Sequence, residues 1–459
     1  MPGRLNIAFV ALTVAIGGFL LGFDSNVISG VSPFIKSYFS LTGESGDLQL
    51  GWAVSSLGWG AIVGNALAGA LSDRFGRRGV LLVTALLFVC SSLLAALATH
   101  FVGFVSARIV GGLAVGCAIL IAPIYIAEIS PAGKRGSLVS LNQLMIVIGI
   151  SAAFFSNYFL LDVGEHNWRW MLGVQTIPAL LYFALLLFVP ESPRWLLLKG
   201  RDAAARRVLV QVGGESEAEQ SLQQIRESLA SKPESPGFRG VLGRFAGLGE
   251  RRLRFIMLVA LGLAFFQQIT GINAVFYYLP TIFAQAGGGV NDAFRQAVLV
   301  GLVNLVMTFV AIWLIDRLGR KPLLIAGVTG MALSLLVNAW AFSQPQLNAL
   351  LVLIAIMLFV ASFAISLGPV MWVLLSEIFP NEQRGAAISV AGFLNAFVSA
   401  SVTFIFPWEL TKLGPSGIFL VYGLFACAAL LFVLLFVPET KGRTLEELEH
   451  ALVSEAKAT

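Results

Sequence analysis

The chain is a succession of apolar runs of about twenty residues separated by short charged turns, and the turns of its first half return in its second. Asp73-Arg74-Phe75-Gly76-Arg77-Arg78 comes back as Asp316-Arg317-Leu318-Gly319-Arg320-Lys321. Glu128-Ile129-Ser130-Pro131, followed by Arg135, comes back as Glu377-Ile378-Phe379-Pro380, followed by Arg384. Pro190-Glu191-Ser192 comes back as Pro438-Glu439-Thr440, in the same order and at nearly the same spacing. Such a duplication implies two homologous halves, and in a membrane chain it points to a transporter with its site where the halves meet.

With 57% hydrophobic and 12% charged residues and a mean hydropathy of +0.85, the chain has too little polar surface to cover a soluble globule. Spanning runs fall around 7–30, 51–71, 79–98, 102–126, 138–160 and 169–189, and again around 254–283, 295–316, 321–343, 349–376, 386–408 and 416–437. The expected fold class is therefore an all-α membrane protein of twelve transmembrane helices in two pseudo-symmetric six-helix halves, covering 1–196 and 253–437. Between them 197–252 forms a charged linker, where Leu222, Ile225 and Leu229 stand at helical spacing until Lys232-Pro233 breaks the pattern. A tail, 438–459, carries Thr444 and Glu447 at capping-box spacing ahead of Leu448.

One set of short loops holds Arg74, Arg77, Arg78, Lys134, Arg135, Arg317, Arg320, Lys321 and Arg384, against only Lys36, Arg169, Arg295 and Lys412 in the opposite set. The positive-inside rule makes the first set cytoplasmic and, with it, both termini of a multi-pass plasma-membrane protein. The net charge of +5 is then a topology signal, and no nucleic-acid partner is expected. The first run is too long for a signal h-region, carries an acid and is followed by further spans, so it is expected to be retained. Cys90, Cys117 and Cys427 lie inside predicted spans, which implies neither disulfides nor a metal site. No phosphate-binding loop is present, so ATP hydrolysis, enzymatic activity and a cofactor are not expected. The partners expected are the bilayer, a small-molecule substrate and a proton, with the chain a monomer.

The repeated turns suggest an inner latch. Their glycines permit a tight reversal, and Glu128 and Glu377, ending adjacent spans, can accept hydrogen bonds from the arginines. The latch residues are Asp73, Arg77, Glu128 and Arg135 in the first half and Arg317, Arg320, Glu377 and Arg384 in the second. They are expected to clamp the halves together on the inner side.

With Arg108-Ile109-Val110-Gly111-Gly112, Pro190-Glu191-Ser192-Pro193-Arg194-Trp195-Leu196, Gln267-Gln268-Ile269-Thr270-Gly271-Ile272-Asn273 and Pro438-Glu439-Thr440-Lys441-Gly442 in order along it, the chain resembles a sugar porter of the major facilitator superfamily. The resemblance covers nearly the whole length and implies the major facilitator fold. It points to proton-coupled monosaccharide symport, glucose foremost, by alternating access; a facilitative uniporter or a transporter-like sugar sensor would share the same spans.

Polar side chains inside spans are expensive unless paired or facing a wet cavity, so each is a functional candidate. Gln267, Gln268 and Asn273 lie in span seven, Asn304 in eight, Asn395 in eleven and Gln143 in five. Amides both donate and accept, which suits a ligand made of hydroxyls, and Trp372 beyond Gly368-Pro369 offers a flat face for a sugar ring. The resemblance implies that these seven residues bind a monosaccharide and that Tyr277 and Tyr278 form the outer gate; Leu367 and Met371, flanking the Gly368-Pro369 bend, are expected to help set preference among sugars. Asp24 in span one and Arg108 in span four both lie roughly 10 Å below the outer surface at 1.5 Å per residue, so they can meet. Desolvation opposes the charged carboxylate while a guanidinium favours it, and protonation of Asp24 would release Arg108. In the family resembled, proton-coupled members carry an acid at position 24, and many also carry one at position 175, where this chain has Gln175.

Overall fold

A computed structural model describes residues 6–230, 253–379 and 381–441. The expected break at Lys232-Pro233 and the tail helix around Thr444 and Glu447 lie outside the described residues. Those described form helices and no strand, and eleven helices are long and apolar enough to cross a bilayer. The last continuous stretch, Asn381–Phe436, is 56 residues long and turns at Gly414, whose φ is 67°. A helix that long would reach about 80 Å, more than twice the hydrocarbon thickness, so it is two crossings and supplies the twelfth.

Contacts divide the chain into two compact units, Met1–Ile35 with Ser56–Ser235, and Lys36–Ser55 with Pro236–Thr459. The first contains α1 (Ile7–Tyr38) up to Ile35, α2 (Gly43–Phe75) from Ser56, α3 (Arg77–Ala96), α4 (Phe101–Ile129), α5 (Arg135–Phe159), α6 (Asn167–Gly173) and α7 (Thr176–Leu186), then three short helices, α8 (Pro193–Leu198), α9 (Asp202–Gly213) and α10 (Glu215–Ala230). The second holds α11 (Arg254–Ile269), α12 (Ile272–Tyr277), α13 (Leu279–Gln285), α14 (Val290–Leu318), α15 (Arg320–Ser343), α16 (Ala349–Ile365), α17 (Leu367–Ile378) and α18 (Asn381–Phe436).

Three spans are broken, each for a local reason. Span six divides into α6 and α7 where Pro178 has no N–H to give the carbonyl of Val174. Span ten divides at Ser366, with φ −125° and ψ −100°, ahead of Gly368-Pro369. Span seven breaks at Gly271, which is left-handed with φ 84°; a Cβ there would also run into the Tyr422 ring. Each break frees backbone groups at membrane depth, where only protein can satisfy them.

The repeated turns build the same joint in both units. In the first, the Glu191 carboxylate accepts from the backbone N–H groups of Arg77 and Arg78 at 3.0 and 3.1 Å, at the positive end of α3. Ser192, the next residue, donates its hydroxyl to Glu128, and Glu128 takes Arg77 through both oxygens at 3.1 and 3.2 Å. In the second unit Glu439 accepts from Arg320 and Lys321 N–H at 3.1 and 3.0 Å. Thr440 donates to Glu377 at 2.6 Å, and Glu377 holds Arg320 at 3.1 and 2.7 Å. Gly76 and Gly319 open these helices with φ of 89° and 93°, and the capping carboxylate lies directly over each glycine.

Burial acts to raise the Glu439 carboxyl, but backbone N–H groups of Lys441, Arg320, Lys321 and Thr440 outweigh it and hold the group below the usual carboxylate range. Since the folded carboxyl titrates lower than the unfolded one, its stabilisation is complete above about pH 4.3 and is lost as pH falls through the folded value. Glu439→Gln is expected to destabilise the protein by about 0.5–2 kcal/mol, the usual worth of a helix cap. Thermal melting in detergent checks this, and the gap from wild type should close on acidification below that range.

Candidate transport site

The second unit gathers most of the predicted sugar residues into one amide cluster. Gln267 and Gln268 lie in the last turn of α11, just before the break at Gly271, and Asn273 lies in the first turn of α12. Gln267 donates to the Leu367 carbonyl at 2.6 Å, at the break in span ten. Its own carbonyl accepts from Gln268 at 3.2 Å and from Asn395, on α18, at 2.7 Å. Gln268 also donates to Asn395 at 3.2 Å, and Asn395 donates to the Ala264 carbonyl at 3.0 Å. Asn273 donates to Gln268 at 2.9 Å and to Ser399 at 2.7 Å. Thus the amides satisfy one another and also tie α11, α12, α17 and α18 together, and their remaining donors and acceptors can be exchanged for ligand hydroxyls.

Asn304 is buried on α14 outside this cluster. Trp372, on α17, is 42% exposed and lies 3.7 Å from where a Cβ on Gly392 would stand. Tyr278 is buried, stacked on Phe406 at 4.8 Å between ring centroids and donating to the Thr403 carbonyl at 3.4 Å, while Tyr277 is half-buried. Leu367 and Met371 are both fully buried. Gln143, in the first unit, is exposed, whereas its neighbour Asn142 is buried and packed against Gly18 of α1.

Asp24 and Arg108 meet in the first unit as expected, 2% and 1% exposed. Arg108 donates from Nη1 to Asp24 Oδ1 and from Nη2 to the Asp24 backbone carbonyl at 3.1 Å. The pair is incomplete, because Asp24 Oδ2 and Arg108 Nε are both buried without a hydrogen-bond partner. Gly111 leaves the space that Oδ2 faces: a Cβ there would stand 2.9 Å from it. Ser91 of α3, donating to the Ala107 carbonyl at 2.8 Å, closes the other side. Gln175, at the break of span six, is also buried with neither amide atom hydrogen-bonded.

The latch residues behave unequally. Arg77, Asp73, Glu128, Arg320 and Glu377 sit in the two joints, with Arg77 reaching Asp73 at 3.2 Å, and each ion pair closes within its own unit. Arg384 instead donates to the Phe379 carbonyl at 3.3 and 3.2 Å, capping the end of α17. Arg317 lies over the Trp313 ring at 4.0 Å, and Arg135 is exposed.

Residues 10–452 match the family model described as "Sugar (and other) transporter". The chain is 38% identical to the D-xylose-proton symporter of Escherichia coli K12 over 98% of its own length and 96% of the relative's. It is 37% identical to the glucose transporter GlcP of Staphylococcus epidermidis, with 98% of both chains covered. The inward-open structure of the xylose transporter XylE from E. coli superposes with a TM-score of 0.84 at 38% identity, covering 97% of this chain and all of that one. The chain belongs to the sugar transporter family. It is accordingly a multi-pass membrane transporter of the major facilitator fold and not an enzyme.

For a sugar transporter, three sets of residues went unread in the sequence. Ser399 joins the amides because it stands four residues after Asn395 on the same helical face, a spacing that could have been scanned for. Glu191 with Ser192, and Glu439 with Thr440, are the working parts of the repeated joint, and the repetition of their motif was the signal. Glu409 is half-buried and accepts from Tyr422 at 3.3 Å, reached by no motif at all. Gln267→Leu is expected to cost about 1–3 kcal/mol of stability, by orphaning the buried donors and acceptors around it. A drop in melting temperature in detergent without sugar checks this, and no drop would mean that the cluster is not cohesive.

Proposed function

We propose that the chain takes up a monosaccharide, glucose foremost, together with a proton by alternating access in the plasma membrane, with both termini in the cytoplasm. The observation that carries the reading is the incomplete Asp24–Arg108 pair. A buried pair is stable only while both charges face each other; removing one charge leaves the other uncompensated, at a cost of about 3–5 kcal/mol. A proton arriving at the free Oδ2 of Asp24 would do that to Arg108. A shift of that size changes a two-state equilibrium by roughly 10² to 10³·⁵, enough for one proton to decide which state the first unit favours. Relatives named as a D-xylose-proton symporter and a glucose transporter support both the coupling and the size of the substrate.

The sugar would be held by Gln267, Gln268, Asn273 and Asn395, with Asn304, Trp372 and Gln143 completing the pocket and Tyr277 and Tyr278 closing it from outside. The joints at Arg77 and Arg320 would keep each inner end rigid as it moves. Gln268→Ala or Asn273→Ala is expected to weaken saturable binding about 5- to 150-fold, since a lost buried partner is worth about 1–3 kcal/mol. Calorimetry with glucose and xylose reads this, and unchanged affinity for both sugars in both variants would remove these residues from the site.

A facilitative uniporter is the second reading, favoured by Gln175, a neutral amide buried in the same unit as Asp24. Uptake into proteoliposomes separates the two. An inward proton gradient should drive wild-type accumulation, and Asp24→Asn should abolish accumulation while leaving sugar exchange intact. Wild-type uptake indifferent to the gradient would make Asp24 a static ion pair and the protein a uniporter.

A further inference from the structure

A cavity of about 250 Å³ with a mixed polar and apolar lining lies between the α4–α5 turn and the short helices α8 to α10, and the transport cycle proposed above makes no use of it. All its walls belong to the first unit. Two guanidiniums line it, Arg135 at the start of α5 and Arg194 in α8. Among the described residues neither is paired with a carboxylate: Arg194 donates to the Ser228 hydroxyl at 3.2 Å, and Arg135 is exposed. Of the two acids in the wall, Glu128 is already held through both oxygens by Arg77. Glu217 is the other, leaning over Gly213 from the next turn of chain. Two unneutralised cations therefore face one free carboxylate.

The neutral wall mixes apolar side chains, Leu209, Val212 and Ile225, with polar ones. Ser130, Ser221 and Gln224 line the cavity, and Ser130 already spends its hydroxyl hydrogen on the Ile126 carbonyl, which leaves its oxygen to accept. The N-terminus of α5 has no side-chain cap, and Pro131 and Arg135 beside it line the same space. Uncapped N–H groups and the positive end of a 25-residue helix add to the attraction for an anion.

We propose that this cavity binds a phosphate monoester carrying hydroxyl groups. Guanidiniums bind phosphate through paired, charge-assisted hydrogen bonds, while serine and amide groups suit the hydroxyls. The single free carboxylate of Glu217 disfavours anions more highly charged than one ester and can accept from a ligand hydroxyl. The volume limits the ligand to about the size of a phosphorylated monosaccharide, below the usual range for drug-sized molecules. A ligand there would bridge the turn that carries Glu128 to helices α9 and α10, stiffening the joint built on Glu128. The cytoplasmic source of such esters rests on the orientation proposed above; binding itself does not.

Calorimetry on the full-length protein in detergent tests it, with glucose 6-phosphate, inorganic phosphate and glucose as titrants. Saturable binding of glucose 6-phosphate is expected, tighter than inorganic phosphate and weakened at least tenfold by Arg194→Gln. Gln224→Leu should weaken it too while leaving glucose binding unchanged, and it carries the test if Arg194→Gln does not fold. A lipid phosphate is the other source of the same chemistry. Thermal protection by vesicles containing phosphatidic acid over phosphatidylcholine alone, lost in Arg194→Gln and with no response to glucose 6-phosphate, would assign the site to a headgroup. No saturable binding of any phosphate monoester, or binding equal in wild type and both variants, would overturn the proposal.

Discussion

Hydrocarbon offers no hydrogen bonds, so every polar group that this chain carries to membrane depth must find its partner within the protein. Much of the architecture follows from that demand. Around the breaks of span seven at Gly271 and span ten at Ser366, buried amides bond the backbone, Gln267 donating to the Leu367 carbonyl and Asn395 to that of Ala264. The repeated joints solve the same problem at the membrane surface, where the N–H groups opening α3 and α15 are met by Glu191 and Glu439. Among the described residues with buried unpartnered side-chain atoms, Asp24 and Arg108 are the charged ones.

The distinction between satisfied and unsatisfied groups separates structure from work. An amide network whose members bond one another is rigid while empty and can trade bonds with hydroxyls at little net cost. A buried ion pair does not trade in that way, since losing either charge strands the other. The first arrangement suits a solute recognised by its hydroxyls. The second suits a particle that carries nothing but charge. The two lie in different units of the chain, the amide cluster proposed for the sugar mostly on α11, α12 and α18 and the ion pair on α1 and α4.

Much of this was legible in the sequence. The crossings, the duplicated halves and the meeting of Asp24 with Arg108 follow from run length, repetition and depth, which a bilayer translates directly into geometry. What resisted reading was finer than one helical step. Asn142 and Gln143 are neighbours about 100° apart on α5, and burial falls on Asn142, against Gly18, a choice set by a partner helix rather than by spacing. Arg384 bonds the Phe379 carbonyl and Arg317 lies over the Trp313 ring, because an arginine near a helix end finds a carbonyl or an indole ring as readily as an acid. Glu191 and Glu439 were seen as motif letters, because capping depends on the N-terminus of a helix far away in sequence.

The claim at the centre of this account is that Asp24 gains and loses a proton as sugar binds. Infrared difference spectroscopy of the reconstituted protein, with and without glucose, reads the carbonyl stretch of protonated carboxyl groups directly. A sugar-induced band in that region for wild type, absent in Asp24→Asn, is the result the account predicts. A spectrum with no carboxyl band, or one that survives in Asp24→Asn, would contradict it.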